Sequence, residues 1–196
     1  AGLDPVEGRE KIVADLAKEG VLCGRSEGPQ TVRTHERCST PVEIAVTPQF
    51  FVRVLDFKED LLRAGEQIDW RPASMRRRYR QWVENLKWDW CISRQRPYGV
   101  PLPLWHCDVC GAVHLAQIDH MPVDPKIESV AGRCKCGGDW RGERDVMDTW
   151  MPSSLTPQIA AAPQAPMDIR PLAHDIIRTW AFYSIVMAHH RWGRVP

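Results

Sequence analysis

Residues 170–192 read Arg170-Pro-Leu-Ala-His174-Asp175-Ile176-Ile177-Arg-Thr-Trp180-Ala-Phe-Tyr183-Ser-Ile185-Val-Met187-Ala-His-His190-Arg-Trp192. The pattern predicts a helix that begins near His174 or Asp175 and runs toward His190. Ile176, Ile177, Trp180, Tyr183, Ile185 and Met187 cover so much of its surface that it must be largely buried. Upstream, Asp4-Pro5 reads as an N-cap followed by a first-turn proline. That helix has an apolar stripe of Ile12, Val13, Leu16 and Ala17, and Gly20 stands where it should end. Residues 23–41 read as a polar loop, and Val42–Val46 and Phe50–Leu55 as two strands. Asp56 with Glu59 suggests a capping box for a short helix through Leu61 and Leu62, ended by Gly65. A third helix is expected over Ser74–Trp88, with Met75, Tyr79, Trp82, Val83 and Leu86 on one face. The stretch 97–173, rich in Pro and Gly, reads as mostly irregular, with 156–171 an Ala/Pro loop.

Composition sets bounds. The chain has 196 residues, 43% hydrophobic and 26% charged, with a formal net charge of +1. That is ordinary for a globular protein of one or two domains, and it announces no general affinity for polyanions. There is no apolar run of membrane-spanning length and no signal-peptide pattern. Seven cysteines without a secretion signal favour a reducing, cytoplasmic setting and a metal site over disulfides. Nine tryptophans are many for this length. The start without Met and the end at Val195-Pro196 are expected of a fragment.

The cysteines carry the clearest chemistry. Cys107-Asp-Val-Cys110-Gly and Cys134-Lys-Cys136-Gly-Gly form two pairs separated by a loop. Four thiolates satisfy tetrahedral zinc and leave no position open for water, so the expected site is structural. It would pin the irregular middle of the chain. His106 and His114 are nearby substitutes but read as loop residues. His35 and Cys38 have metal-ligand spacing, yet no partner pair accompanies them, and alone they read as an exposed His and a semi-buried Cys. Arg76, Arg77, Arg78 and Arg80, interleaved with Tyr79 and Trp82, are the one dense basic cluster. Such a run is commonly a solvated helix face, but nucleic-acid phosphates are its natural partners.

Four blocks are more specific. Trp82-Val-Glu-Asn85-Leu-Lys-Trp-Asp89-Trp90-Cys91-Ile92-Ser93-Arg94-Gln95 resembles the segment that class I aminoacyl-tRNA synthetases for valine, isoleucine and leucine carry after their editing insertion. Gly99-Val-Pro101-Leu-Pro103-Leu-Trp105-His-Cys107 resembles their entry into a zinc-bearing segment. Asp145-Val-Met-Asp148-Thr149-Trp150, followed by Ser153-Ser154, resembles their Asp-Thr-Trp block. The quoted C-terminal stretch resembles the second half of their nucleotide-binding fold, and its His-Asp-Ile-Ile form is similar to archaeal-type valyl-tRNA synthetases. The likeness runs from about residue 8 to 192. Leu172, Pro152 and Phe50 depart from it, where Gln, Thr or Ser, and Trp are usual; Leu172 is the departure nearest the expected ligand region. The family's His-Ile-Gly-His and Lys-Met-Ser-Lys-Ser type motifs are absent from these residues.

The resemblance implies an α/β fold. It consists of part of a class I Rossmann catalytic domain, a zinc-bearing connective insertion and the tail of the editing domain. The expected boundaries are 1–40 for that tail and its return, 41–104 for a connective α/β segment, 105–144 for the zinc segment and 145–196 for the start of the second Rossmann half. It implies ATP-dependent activation of valine and transfer to tRNA by a longer, monomeric parent enzyme, with ATP and Mg as substrate and no protein nucleophile. Trp150, Trp180 and Ile176 would frame the amino-acid side chain, although core packing is the plain alternative for the two rings. Asp175, with His174 and Ala173, would meet the nucleotide, Asp175 taking the ribose hydroxyls or acting only as an N-cap. Arg76, Arg77, Arg80, Ser93, Arg94 and Gln95 would meet tRNA. His35 and Cys38 would complete a zinc site with ligands that precede the editing insertion. An isoleucine enzyme, a free-standing zinc-stabilised RNA-binding module and a purely structural zinc domain are the competing readings.

Overall fold

The computed structural model describes residues 2–44, 46–160 and 167–196. The chain divides into two compact units, Ala1–Thr47 and Pro48–Pro196.

The first unit is built on α1 (Pro5–Lys18). Its start is as the sequence predicts: the Asp4 carboxylate accepts from the Val6 amide at 2.9 Å, and Pro5 stands in the first turn. Glu19 caps the far end and Gly20 follows with φ of 71°. No residue of α1 is buried, and Ile12 is 60% exposed. The polar loop is found where expected. It closes on an isolated bridge between Thr34 and Pro41, tightened by the His35 amide on the Thr40 carbonyl at 2.8 Å. The expected strand over 42–46 is not found among the described residues, of which Ala45 is not one. Val42, Ile44 and Val46 are exposed, so the segment has neither a buried face nor a partner ladder to make it a strand.

In the second unit, β1 (Phe51–Val52) pairs antiparallel with β2 (Trp90–Cys91), and β3 (Ser93–Arg94) with β7 (Val146–Met147). The strand expected over Phe50–Leu55 is thus two residues long. It is cut short by a 3-10 turn, Leu55–Phe57, that leads into α2 (Lys58–Glu66). The expected capping box is absent. Asp56 pairs with Arg53 at 3.4 Å, and the turn is instead capped from a distance by Asp89, whose carboxylate accepts the Leu55 and Val54 amides at 3.0 and 2.9 Å. Those two amides hold the Asp89 carboxyl below its ordinary range.

Gly65 does not end α2; it lies inside it for a steric reason. A Cβ there would sit 2.3 Å from the Tyr79 ring. The Tyr79 hydroxyl donates to the Leu61 carbonyl at 2.9 Å, and its burial pushes the phenol above its ordinary range. Tyr79 belongs to α3 (Ser74–Glu84), which stops four residues short of the predicted Trp88. There Lys58 Nζ reaches the Glu84 and Leu86 carbonyls at 2.8 and 3.2 Å and satisfies the helix end.

The middle of the chain is more ordered than its Pro/Gly content predicts. β4 (Leu104–Cys107) is the centre of a three-stranded antiparallel sheet, flanked by β5 (Val113–Leu115) and β6 (Trp140–Gly142). Beyond β7 come two five-residue helices, α4 (Trp150–Ser154) and α5 (Thr156–Ala160). The predicted loop over 156–171 is therefore helical at its start, while residues 161–166 lie outside the described set. The final helix begins with a 3-10 turn (His174–Ile176), passes through a π-helical turn (Ile177–Ala181) and continues as α6 (Phe182–Trp192). As its composition predicts, it is buried: Ile177, Phe182, Ile185 and Val186 join Val54, Leu61, Tyr79, Val83 and Trp90 in the core. Ala173 precedes the 3-10 turn, so Asp175 is not the N-cap.

Substituting Gly65 by Ala forces Tyr79 from its seat and is expected to cost about 1–3 kcal/mol of stability by overpacking. A thermal or urea unfolding curve of the variant against the parent measures it.

Candidate functional site

The second unit is knitted together at a buried carboxylate. Asp148 is 5% exposed and lies just past β7, where its amide donates to the Ile92 carbonyl at 2.7 Å. Its Oδ2 accepts from Trp90 Nε1 and from the Arg94 guanidinium, each at 3.0 Å, and its Oδ1 accepts the Trp150 amide at 3.3 Å. Arg94 also donates to the Cys91 and Ser93 carbonyls at 3.0 and 2.8 Å. Tyr183 of α6 stacks on Trp90 with ring centroids 3.8 Å apart and planes 12° from parallel. Burial, and after it the Asp148 charge, raise the Tyr183 phenol above its ordinary range. Asp148 stands inside the Asp-Thr-Trp block, where the resemblance assigns it no role. The missed signal is an acidic residue followed directly by Thr-Trp at the end of an apolar strand.

The two tryptophans assigned to a substrate pocket lie on elements that touch. Trp150 opens α4 and is half-buried against the core. Trp180 sits in the π turn, and its indole N–H donates to the Ser153 carbonyl at the end of α4 at 2.9 Å. The Arg170 guanidinium covers the Trp180 ring at 4.0 Å, and burial brings Arg170 down to about 10. The Trp180 carbonyl accepts the Ser184 hydroxyl at 2.6 Å, a back-bond from one turn further along the helix. Ile176 is half-buried one residue before the π turn.

Ala173 and His174 line an open cavity of about 1150 Å³ together with Trp70, Arg71, Arg170 and Ile177. Asp175 is not among its lining residues; its side chain is 78% exposed and pairs with His174 Nε2 at 3.1 Å. Nor do Trp150 and Trp180 line it. The structure thus brings Trp150 and Trp180 onto adjoining elements, while His174 and Ala173 line a cavity that neither ring reaches.

The other assignments divide. Arg76 is paired with Glu66 at 3.0 Å and Arg80 with Glu84 at 2.8 Å on the exposed face of α3, whereas Arg77 and Arg78 are exposed without an ion pair among the described residues. Ser93 is 1% exposed; its hydroxyl donates to Gln49 Oε1 at 2.8 Å and accepts the Phe50 amide at 2.9 Å, so it braces the framework rather than facing a partner. Gln95 is exposed but tied to Asp145 at 2.6 Å.

The cysteines converge. The sulfurs of Cys107, Cys110, Cys134 and Cys136 all lie within 4.8 Å of one another, with Cys107 to Cys136 at 3.3 Å and Cys110 to Cys134 at 3.7 Å. Such a cluster can hold a metal ion. The Cys110 amide leads those that hold the Cys107 thiol down to about 6. At Cys136 the Gly138 amide acts the same way but is outweighed by the neighbouring cysteines, which push that thiol up to about 12. A Cβ at Gly138 would lie 2.7 Å from the Cys107 sulfur, so only glycine lets the second knuckle close on the first. His106 and His114 are not loop residues: both are in strands, and neither joins the cluster. His106 Nε2 meets Glu143 at 2.8 Å, and His114 leans on the Trp105 and Trp140 rings. At Glu143 burial raises the carboxyl, but the Asp145 amide and His106 together bring it below its ordinary range. In the first unit His35 Nδ1 lies 3.3 Å from the Cys38 sulfur, with no third ligand among the described residues; Cys38 is exposed, not semi-buried.

A family model described as tRNA synthetases class I (I, L, M and V) matches residues 30–196. Over its whole length the chain is 46% identical to a valine–tRNA ligase of Thermoplasma volcanium and 43% identical to one of Picrophilus torridus, spanning 26% of each. A valine–tRNA ligase of Archaeoglobus fulgidus is 46% identical over the whole chain, which spans 23% of it. A solved ternary complex of an Agrobacterium radiobacter LeuRS with tRNA and LeuAMS aligns with TM-score 0.42 and 22% identity, over 55% of this chain and 18% of that one. No helix among the described residues is long and apolar enough to cross a membrane.

Replacing Cys107 or Cys134 by Ser is expected to abolish stoichiometric metal retention, because three thiolates and a hydroxyl bind such an ion far more weakly than four thiolates. His106→Ala and His114→Ala should leave the metal content unchanged. Elemental analysis of the purified variants separates the two groups.

Proposed function

Because the chain belongs to the class I tRNA synthetases for isoleucine, leucine, methionine and valine, we propose that it is an internal portion of a valine–tRNA ligase. That enzyme joins valine to ATP as valyl-adenylate and passes the acyl group to tRNA. The observation that carries the reading is the contact between α4 and the π turn, locked by the Trp180 indole on the Ser153 carbonyl at 2.9 Å, which sets the Trp150 and Trp180 elements side by side. The 41–46% identity along the chain to proteins named valine–tRNA ligases supports the choice of substrate.

The chemistry asks for positioning and charge stabilisation rather than a nucleophile. Trp150, Trp180 and Ile176 frame the valine side chain, since indole walls supply rigid apolar area that excludes water and caps size. Such a pocket rejects larger side chains by sterics but separates valine poorly from isosteric threonine. Asp175 offers its exposed carboxylate to the ribose hydroxyls of ATP, with His174 and Ala173 beside it. Arg77 and Arg78, free of ion pairs among the described residues, are better placed to meet tRNA phosphates than Arg76 and Arg80, which must first leave a carboxylate. Arg94, with its side chain 38% exposed, and Gln95 meet the acceptor end.

Zinc suits the four-cysteine cluster. Tetrahedral coordination at a Zn–S length of about 2.3 Å puts sulfurs about 3.8 Å apart, inside the range of this cluster, where two pairs lie at 3.3 and 3.7 Å and all four sulfurs within 4.8 Å of one another. With four thiolates the ion supplies folding energy and no open coordination position. His35 and Cys38 form half of a second site whose other ligands lie elsewhere in the parent protein. The segments divide as the family resemblance implies: editing tail over 1–40, connective segment over 41–104, zinc segment over 105–144 and second Rossmann half over 145–196, in a monomeric enzyme of a reducing, cytoplasmic compartment.

In the full-length protein, valine-dependent exchange of pyrophosphate into ATP is the expected activity. Trp150→Ala and Trp180→Ala should each raise the valine KM by about tenfold or more while leaving the ATP KM within about twofold, as loss of side-chain binding energy requires. Exchange driven by isoleucine in preference to valine, or by neither, would sink the assignment.

A further inference from the structure

Nothing in the proposed function says what holds Trp150 and Arg94 in place. We propose that Asp148 is a positioning residue whose single buried carboxylate fixes the amino-acid-pocket element at Trp150 and the acceptor-end cation at Arg94 together, so that the two binding functions are set by one group. The inference rests on the valine–tRNA ligase reading and adds to it a residue and a coupling.

Three donors from separate places meet on this carboxylate. Oδ1 holds the Trp150 amide at 3.3 Å, the first residue of α4. Oδ2 holds Trp90 Nε1 and the Arg94 guanidinium, both at 3.0 Å, from β2 and β3. A helix start alone would be satisfied by the side chain of Ser, Thr or Asn. A full negative charge at 5% exposure is costly unless a cation and hydrogen bonds answer it. Here Trp90 Nε1 and the Arg94 guanidinium answer it on Oδ2, so the group serves more than the start of α4.

Arg94 is itself asymmetric. One edge is held by Asp148 and by the Cys91 and Ser93 carbonyls, while the side chain also lines a cavity of about 190 Å³ beside Trp88, Trp90 and Tyr183. Trp88 is 73% exposed at that cavity. The arginine is thus fixed on its protein side and open on the other, the arrangement needed to present a cation to an incoming strand without letting it swing. Trp90, the third partner, is clamped by the Tyr183 stack at 3.8 Å, so the carboxylate is anchored to α6 as well. Moving the carboxylate moves both the start of α4 and the aim of Arg94.

The test uses the full-length enzyme that contains this chain. Asp148→Asn keeps size but replaces one oxygen by an amide, so whichever way it turns, one of its two arms faces donor with donor. With active sites counted by adenylate titration, the variant is expected to show a valine KM raised about tenfold in exchange assays run without tRNA, an ATP KM within about twofold, and a tRNA KM raised severalfold in aminoacylation. Arg94→Met, which leaves the carboxylate without its cation, should raise the valine KM too, although the arginine itself contacts no valine. The double variant should be no worse for valine than Asp148→Asn alone.

A fall in active fraction or kcat with both KM values unmoved would mean that Asp148 only supports folding, and would overturn the proposal. Multiplying effects in the double variant would do the same by making the two arms independent. If Asp148→Asn does not fold, the valine KM of Arg94→Met decides alone, an unchanged value being the adverse result. Failure of the unmodified enzyme to exchange pyrophosphate with valine is a separate outcome and sinks the underlying assignment instead.

Discussion

The second unit depends on one anion being answered from three sides. Asp148 receives an indole N–H, a guanidinium and a backbone amide, from β2, β3 and the start of α4. Hydrogen bonds to a charged group contribute about 1.5–3 kcal/mol each when buried. The ion pair adds less than its distance suggests, because the Arg94 side chain is 38% exposed and solvent screens it. The hydrogen bonds, more than the charge attraction, therefore fix β2, β3 and the start of α4 relative to one another. The strands themselves are two residues long and bring few ladder bonds of their own.

Around that anchor the aromatic side chains act as spacers. Trp90 is held at its N–H by Asp148 and at its face by Tyr183, while Tyr79 fills the notch that Gly65 leaves in α2 and meets Phe182 across the core. Rigid rings in fixed orientations transmit position well, since interiors are close-packed and do not deform continuously. That helps to explain why a sequence with so many tryptophans builds so little regular sheet: shape is carried by side-chain packing where backbone ladders are short.

Much of this was legible from residues. The N-cap at Asp4, the burial of the last helix and the pairing of the four cysteines follow from local chemistry, and each is found. What escaped was set by distant groups. Asp56 looks like a cap, yet Asp89, more than thirty residues on, caps the turn. Gly65 looks like a helix end, but the ring at Tyr79 explains it. Ser93 looks like a surface hydroxyl within a motif, and Gln49 has already taken it. The strands of the middle region were hidden because strands of three or four residues are too short to show a period of two. The role of Asp148 could not be read because its partners Trp90 and Arg94 precede it by more than fifty residues.

The four-cysteine cluster and the Asp148 network solve one problem by different means. Residues 97–148 run between β3 and α4 with no buried helix to hold them. At one end Cys107 and Cys134, both buried, with Cys110 and Cys136 gather two knuckles whose own apolar contacts are few: Val109, Val113 and Leu115 around them are exposed. A bound ion can replace a core there, because it ties four chain points in a volume too small to pack side chains. At the other end the excursion returns to the core through Val146, 2% exposed, and then Asp148. Disturbing the cluster should therefore loosen the insertion locally. Disturbing the carboxylate acts where the excursion rejoins the elements that carry Trp150 and Trp180, so of the two polar anchors Asp148 is the one tied by a hydrogen bond to the start of α4.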